Sequence, residues 1–219
     1  AVSKTIQQKI KRARFPQDIA TQVMHAYLKL EKGVLSHPLV AVRSSATAED
    51  LPGASFAGQQ DTYLNVYGEA NLLEKIKEAW ASLFTARAIF YRATNKFDHF
   101  KVGIAIPVQR MVQSDASGIM FTIDPVTNDK KHMVVDAVYG LGEMIVQGAV
   151  TPDHYVVDKA THTIVEKEVN VQEKSMARHA DKTLILPLSK EKGSKQKISD
   201  KEILAIADIG KKLEKHDSN

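Results

Sequence analysis

The 219-residue sequence predicts an α+β fold of two lobes, with approximate limits 1–107 and 108–219. Three observations carry that expectation. Apolar residues recur at helical spacing near the amino terminus and again from Leu72; short alternating runs of strand type crowd the middle; and the order helices, strands, helix, strands, helix suits segregated elements.

After Phe15-Pro16, a proline suited to a first helical turn, Ile19, Val23, Tyr27 and Leu30 trace one helical face, and Gly33 is a reasonable stop. Leu39 to Val42 reads as a short strand that ends in the polar segment Arg43 to Gln60, and Thr62 to Val66 as a second strand. Leu73, Ile76, Trp80, Leu83 and Phe84 follow a period of about 3.6, which predicts one long amphipathic helix running towards Tyr91. Strand-like runs follow at 102–112, 118–123, 133–138 and 155–157, separated by turn residues such as Thr127-Asn128-Asp129. They predict a sheet lobe that leans antiparallel. Residues 173–198 read as polar and lysine-rich, and Ser199-Asp200-Lys201-Glu202 supplies a capping box for a closing helix.

With 43% hydrophobic and 26% charged residues the chain is of ordinary globular composition. Absence of cysteine excludes disulfides, a thiolate nucleophile and cysteine-ligated metal, and it suits a reducing compartment, so a cytoplasmic location is expected. No apolar run approaches the roughly 20 residues that span a bilayer, so no membrane partner is expected. Thirty basic against 26 acidic residues give +4, but the basic runs lack interleaved aromatics, so no nucleic-acid partner is expected either. A small-anion binder fits at least as well.

The chemistry concentrates in Val42-Arg43-Ser44-Ser45-Ala46-Thr47-Ala48-Glu49-Asp50-Leu51-Pro52-Gly53-Ala54-Ser55-Phe56-Ala57-Gly58-Gln59-Gln60. Small residues let backbone N–H groups approach a phosphate, hydroxyls such as Ser45 and Ser55 add donors, and an arginine adds a charge that does not titrate. The same composition also suits a plain surface loop. Neither the Walker pattern nor the dinucleotide glycine fingerprint is present.

This run resembles the nucleotide-domain signature of the phosphoenolpyruvate synthase and pyruvate phosphate dikinase family. The similarity continues through 81–88, Val108-Gln109-Arg110-Met111-Val112, Ser117-Gly118-Ile119-Met120-Phe121-Thr122, Tyr139-Gly140-Leu141-Gly142-Glu143 and 146–153. The resemblance implies an ATP-grasp-type two-lobed domain. It places Arg43 on the ATP phosphates as the catalytic arginine, counts Ser45 among the ATP-binding residues, and makes Gly53 to Gln60, with Gly53, Ser55, Gly58 and Gln59, the loop that closes over the phosphates. Gln109, Arg110, Met111 and Val112 match the hinge whose backbone reads adenine; Met111 and Val112 are equally ordinary core residues. Ser117 resembles a second phosphate-facing position, with a plain hairpin residue as the alternative. Glu143, on the glycine turn, would orient a metal, a ribose or a basic neighbour, or merely cap the following turn.

Against an intact family domain, the phosphate-binding lysine near the amino terminus and the strands carrying acidic Mg²⁺ ligands are not visible. The expectation is therefore a domain incomplete at both ends, with metal ligands beyond Asn219. None of the eight histidines has the Thr-Ser-His context of the family's phosphate carrier. The resemblance thus implies ATP and Mg²⁺ as cofactors, and pyruvate and a phosphohistidine domain as partners reached through further domains. The whole enzyme would convert pyruvate, ATP and water to phosphoenolpyruvate, AMP and phosphate. This chain alone is expected to be inactive. The alternatives are the ATP domain of a rifampicin-type antibiotic phosphotransferase and a non-catalytic nucleotide-binding fragment.

Overall fold

A computed structural model describes residues 2–30, 38–46, 50–51, 54–55, 62–179 and 182–217. The fold is α+β, and contacts divide the chain into two compact units, Ala1–Val112 and Gln113–Asn219. The first unit runs α1 (Val2–Arg12), α2 (Gln17–Leu28), β1 (Val40–Val42), β2 (Ser45–Ala46), β3 (Asp50–Leu51), β4 (Ala54–Ser55), β5 (Tyr63–Val66), α3 (Glu69–Ser82), α4 (Ala86–Thr94), β6 (Ile104–Ala105) and β7 (Val108–Arg110).

Strands β5, β1 and β7 form an antiparallel sheet in that order, and β2–β6 and β3–β4 form separate two-stranded ladders. Val40 and Val42 turn one face of β1 onto a core with Val66, Tyr27 of α2, and Leu72, Ile76 and Ala79 of α3. Phe15 stacks on Trp80, their ring centroids 5.0 Å apart, to close the margin of that core. A smaller cluster joins Ala46 of β2 to Leu83 and Ala88, with Phe84, Tyr91, Val102 and Ile104 packed around it.

Two sequence expectations are corrected here. The long helix towards Tyr91 is two helices, because Thr85 takes an extended ψ of 153° and its hydroxyl accepts the Ala88 N–H at 3.2 Å. A threonine that caps an N-terminus competes with continuation of the helix before it. The run 102–112 is likewise two strands, pairing with different partners, since Pro107 has no N–H for a continuous ladder. Residues 108–110 therefore pair inside the first unit, and that unit ends at Val112.

The second unit runs β8 (Ala116–Phe121), β9 (His132–Tyr139), α5 (Glu143–Val146), β10 (Asp153–Asp158), β11 (Thr163–Glu168), β12 (Lys174–His179), β13 (Lys182–Pro187), α6 (Lys190–Gly193) and α7 (Asp200–Asp217). Strands β8 to β11 form an antiparallel meander in sequence order. Met133, Val135 and Ala137 of β9 alternate with Tyr155 and Val157 of β10 beneath Ile203 and Ala207 of α7, a helical i, i+4 pair. The capping box forms: Ser199 N–H donates to Glu202 Oε2 at 2.7 Å, and Glu202 N–H to Ser199 Oγ at 3.3 Å. The β12–β13 hairpin lies within the stretch expected to be polar and lysine-rich, although β13 carries Leu184-Ile185-Leu186, and β11 lies outside the expected strands. Their side chains are mostly exposed or half-buried. Among the described residues no helix is long and apolar enough to cross a membrane.

Candidate functional site

In the first unit the expected phosphate and hinge residues meet along the β1–β7 ladder. Its register places Val42 opposite Val108 and Ala41 opposite Gln109, and the Arg43 N–H extends it by donating to the Pro107 carbonyl at 3.0 Å. Side chains alternate across a strand, so Arg43, Ala41, Gln109 and Met111 share the face opposite Val40, Val42 and Val108. Arg43 Nη1 donates to Gln109 Oε1 at 3.4 Å, a long contact between two exposed side chains. Among the described residues no carboxylate pairs with Arg43, so its charge is directed outward.

Antiparallel pairing also sorts the hinge backbone. Met111 N–H donates to Leu39 O at 2.8 Å, which spends the group on the ladder. Residues in an antiparallel ladder alternate between facing the partner strand and facing away. The amide groups of Arg110 and Val112 thus point off the open side of β7, and those of Gln109 and Met111 do not. Of the four expected hinge residues, two can read a ligand edge with backbone and the other two share Arg43's face. Val112 is 74% exposed, so it is not a core residue.

Ser45 is exposed on β2, opposite Ala105. Ser55 lies in β4, where its backbone pairs with Asp50. Gly53, Gly58 and Gln59 lie outside the described residues.

Ser117 and Glu143 belong to the second unit. Ser117 Oγ donates to Gly140 O at 2.7 Å and lies 2.7 Å from Ser114 Oγ, so the hydroxyl is tied to the glycine turn. Gly140 has a φ of +84°, and a Cβ there would run into the Met176 carbonyl, which accepts the Leu141 N–H at 2.8 Å. Glu143 opens the short α5, and its Oε1 accepts from Gln147 Nε2 at 3.0 Å. Ser117 and Glu143 therefore bracket one turn, and the carboxylate already has a partner in its own helix.

Sequence reasoning missed the most buried ionic group of the second unit. Asp153 and Lys197 are each fully buried, with Oδ1 and Nζ 2.9 Å apart, and Tyr155 OH donates to Asp153 Oδ2 at 2.8 Å. Burial, and secondarily that carboxylate, push the Tyr155 phenol far above its ordinary pKa. Asp153 stood inside a motif segment already singled out; Lys197 was one lysine in a lysine-rich stretch, with nothing local to mark it as buried.

A search of known proteins completes this picture. Residues 1–218 match the family model "Pyruvate phosphate dikinase, AMP/ATP-binding domain". The chain belongs to this family. Within it, the chain is 45% identical over 219 residues to a probable phosphoenolpyruvate synthase of Pyrococcus abyssi, covering 96% of this chain and 27% of that protein. It is 46% identical over 215 residues to the phosphoenolpyruvate synthase of Pyrococcus furiosus, covering 94% and 26%. The Aquifex aeolicus phosphoenolpyruvate synthase is 48% identical over 221 residues, covering 96% and 26%. The chain thus spans about a quarter of the length of these relatives. As an AMP/ATP-binding domain of the dikinase family it takes ATP as its ligand.

The Mg²⁺ expected from the resemblance finds no ligand set in what is described: among the described residues no group of three or more histidine and acidic side chains could hold a metal ion. The dense acidic region of the second unit is engaged with its own backbone instead. Asp124 accepts from Val126 N–H at 2.8 Å, Asp129 from Lys131 N–H at 2.8 Å and Asp158 from Thr161 N–H at 2.7 Å.

Proposed function

We propose that this chain is the ATP-binding part of a phosphoenolpyruvate synthase, folded as an ATP-grasp-type domain, with Arg43 as its phosphate-facing cation. The observation that carries the reading is the Arg43–Gln109 contact: an exposed guanidinium with no carboxylate partner among the described residues, beside a strand whose Arg110 and Val112 amides face outward. A polyanion with a flat, hydrogen-bonding base has both kinds of partner there. Ser45, on β2, adds a hydroxyl that suits a phosphate oxygen.

In the second unit, Ser117 beside the Gly140 to Glu143 turn is proposed as a phosphate-facing position. Transfer onward to pyruvate is proposed to need a phosphohistidine domain outside this chain, in a cytoplasmic enzyme that uses Mg²⁺. No step is assigned to that ion, because the described residues do not provide for it. The names of the relatives favour the synthase over an antibiotic phosphotransferase. Calorimetric titration of the chain with ATP and with adenosine tests the reading. Binding of ATP that Arg43→Ala weakens by about tenfold or more, the scale of one lost charge-assisted contact, supports it; equal affinity of wild type and variant overturns it.

A further inference from the structure

The first unit contains a second arginine whose charge the proposed nucleotide site does not use. Arg92, on the inner face of α4, is 1% exposed, and among the described residues its Nη1 and Nη2 have no hydrogen-bond partner. Its Nε donates to His99 Nδ1 at 3.0 Å, and its guanidinium carbon lies 5.5 Å from the centre of the Phe84 ring. The imidazole is a neutral acceptor and the ring offers only its quadrupole, so neither balances a full positive charge. Guanidinium stays protonated under all ordinary conditions. A buried cation without a counter-charge is strongly disfavoured, and a buried polar group without a partner in a native fold calls for an explanation.

We infer that Arg92 is the fixed cation of an oxyanion subsite, taking a phosphate group on its two outer nitrogens. The inference rests on the nucleotide reading above, and its position suits that reading. Arg92 follows Ala88 by one helical turn, and Ala88 belongs to the same buried cluster as Ala46, the residue next to Ser45 on β2. Bidentate geometry matches what is left open: Nε is held by His99, and Nη1 and Nη2 together present a fork to a tetrahedral anion. Phe84 and His99, which cover it, are only half-buried.

A purely structural buried arginine makes the opposite prediction. With no ligand to meet, its unpaired charge is only a burden, so Arg92→Met would raise stability and leave anion binding alone.

The test titrates the chain with inorganic phosphate, tripolyphosphate, ATP and adenosine, following melting temperature and heat of binding, in wild type, Arg92→Lys, Arg92→Met and Arg43→Ala. The expected result is tripolyphosphate binding that weakens by about tenfold or more in Arg92→Met and less in Arg92→Lys, with adenosine unaffected. Inorganic phosphate that binds with the same Arg92 dependence identifies a free-phosphate source, and dependence confined to ATP and tripolyphosphate identifies a nucleotide's phosphate. Should Arg92→Met fail to fold, the Arg92 guanidinium NMR resonances of the wild type must shift on adding tripolyphosphate; unmoved resonances overturn the inference. So does an Arg92→Met protein with a higher melting temperature and anion affinities within about twofold of wild type. Loss of ATP binding in Arg43→Ala alone leaves the nucleotide reading standing and removes this one, whereas insensitivity to both variants removes both.

Discussion

Lys197 and Asp153 form a salt bridge of 2.9 Å with both side chains wholly out of solvent, and the pair fastens the segment before α7 to the start of β10. Lys197 N–H also donates to Asp153 Oδ2 at 2.9 Å and Asn170 N–H to Oδ1 at 2.9 Å, while Lys197 Nζ reaches the carbonyls of Gly193, at 3.0 Å, and Asn170. Every lone pair that burial strips of water is thereby given a donor.

Removing one partner of such a pair leaves the other charge stranded. Lys197→Met is expected to destabilise the chain by roughly 3–5 kcal/mol, and Lys197→Met with Asp153→Leu by clearly less, because the double change removes both charges. Urea denaturation of the two variants checks this. Equal losses would mean that packing and not charge dominates at the site.

Gly140 fixes the turn that Ser117 holds. An alanine there must keep a φ of +84° and place its Cβ against the Met176 carbonyl. Gly140→Ala is expected to cost about 2 kcal/mol or more, and Gly148→Ala, which has a φ of +61° but open space around it, about 1 kcal/mol. Thermal unfolding of both variants measures the contrast; similar losses would show that backbone strain alone decides and that the Met176 approach does not matter.

Asp158 provides a pH-dependent term. Thr161 holds its carboxyl below the usual carboxylate range, first through its N–H at 2.7 Å and then its hydroxyl at 2.9 Å, with Ala160 N–H and the charge of His132 assisting. A folded-state pKa below the unfolded value of about 3.9 gives stability that is present above that value and lost as pH falls through the folded pKa. Asp158→Asn should therefore be less stable than wild type at neutral pH, with the gap closing below about pH 4. A gap that stays constant down to pH 2.5 would assign the loss to shape and not to ionisation.

Much of this architecture was legible along the chain because it is written in local patterns. Val23, Tyr27 and Ile76 announced their faces by period, and Ser199 with Glu202 announced the start of α7. Non-local facts left no such mark. Pro107 divides a run only because β2 and β1 are available to pair with its two halves, and Thr85 divides a helix by choosing a hydroxyl cap that the apolar period does not register. At the candidate site, the motif identified Arg43 and Gln109, and the β1–β7 register was needed to show that they share a face and that Met111 spends its amide on Leu39. Arg92 passed unremarked because burial of a charge on α4 depends on Phe84 and His99 folding over it.

Arg43 itself gives the sharpest separation of function from stability. Its guanidinium is exposed and, among the described residues, makes a long contact to Gln109 at 3.4 Å, so Arg43→Ala should change folding stability by less than about 1 kcal/mol. A charge placed on a transferring phosphoryl group, by contrast, is worth about three to five powers of ten in rate. On the proposed synthase reading, Arg43→Ala in the longer protein is expected to reduce ATP-dependent phosphoryl transfer at least about a hundredfold with an unchanged urea midpoint. Arg43→Lys should recover only part of the loss, since an ammonium keeps the charge and gives up the planar fork. Gln109→Ala, which removes the side chain that contacts Arg43, should have a milder effect by freeing the guanidinium to other rotamers. Rapid-quench measurement of phosphohistidine formation, beside equilibrium unfolding of the same preparations, decides the matter: wild-type rates in Arg43→Ala would return this residue to the surface of β1 as a bystander.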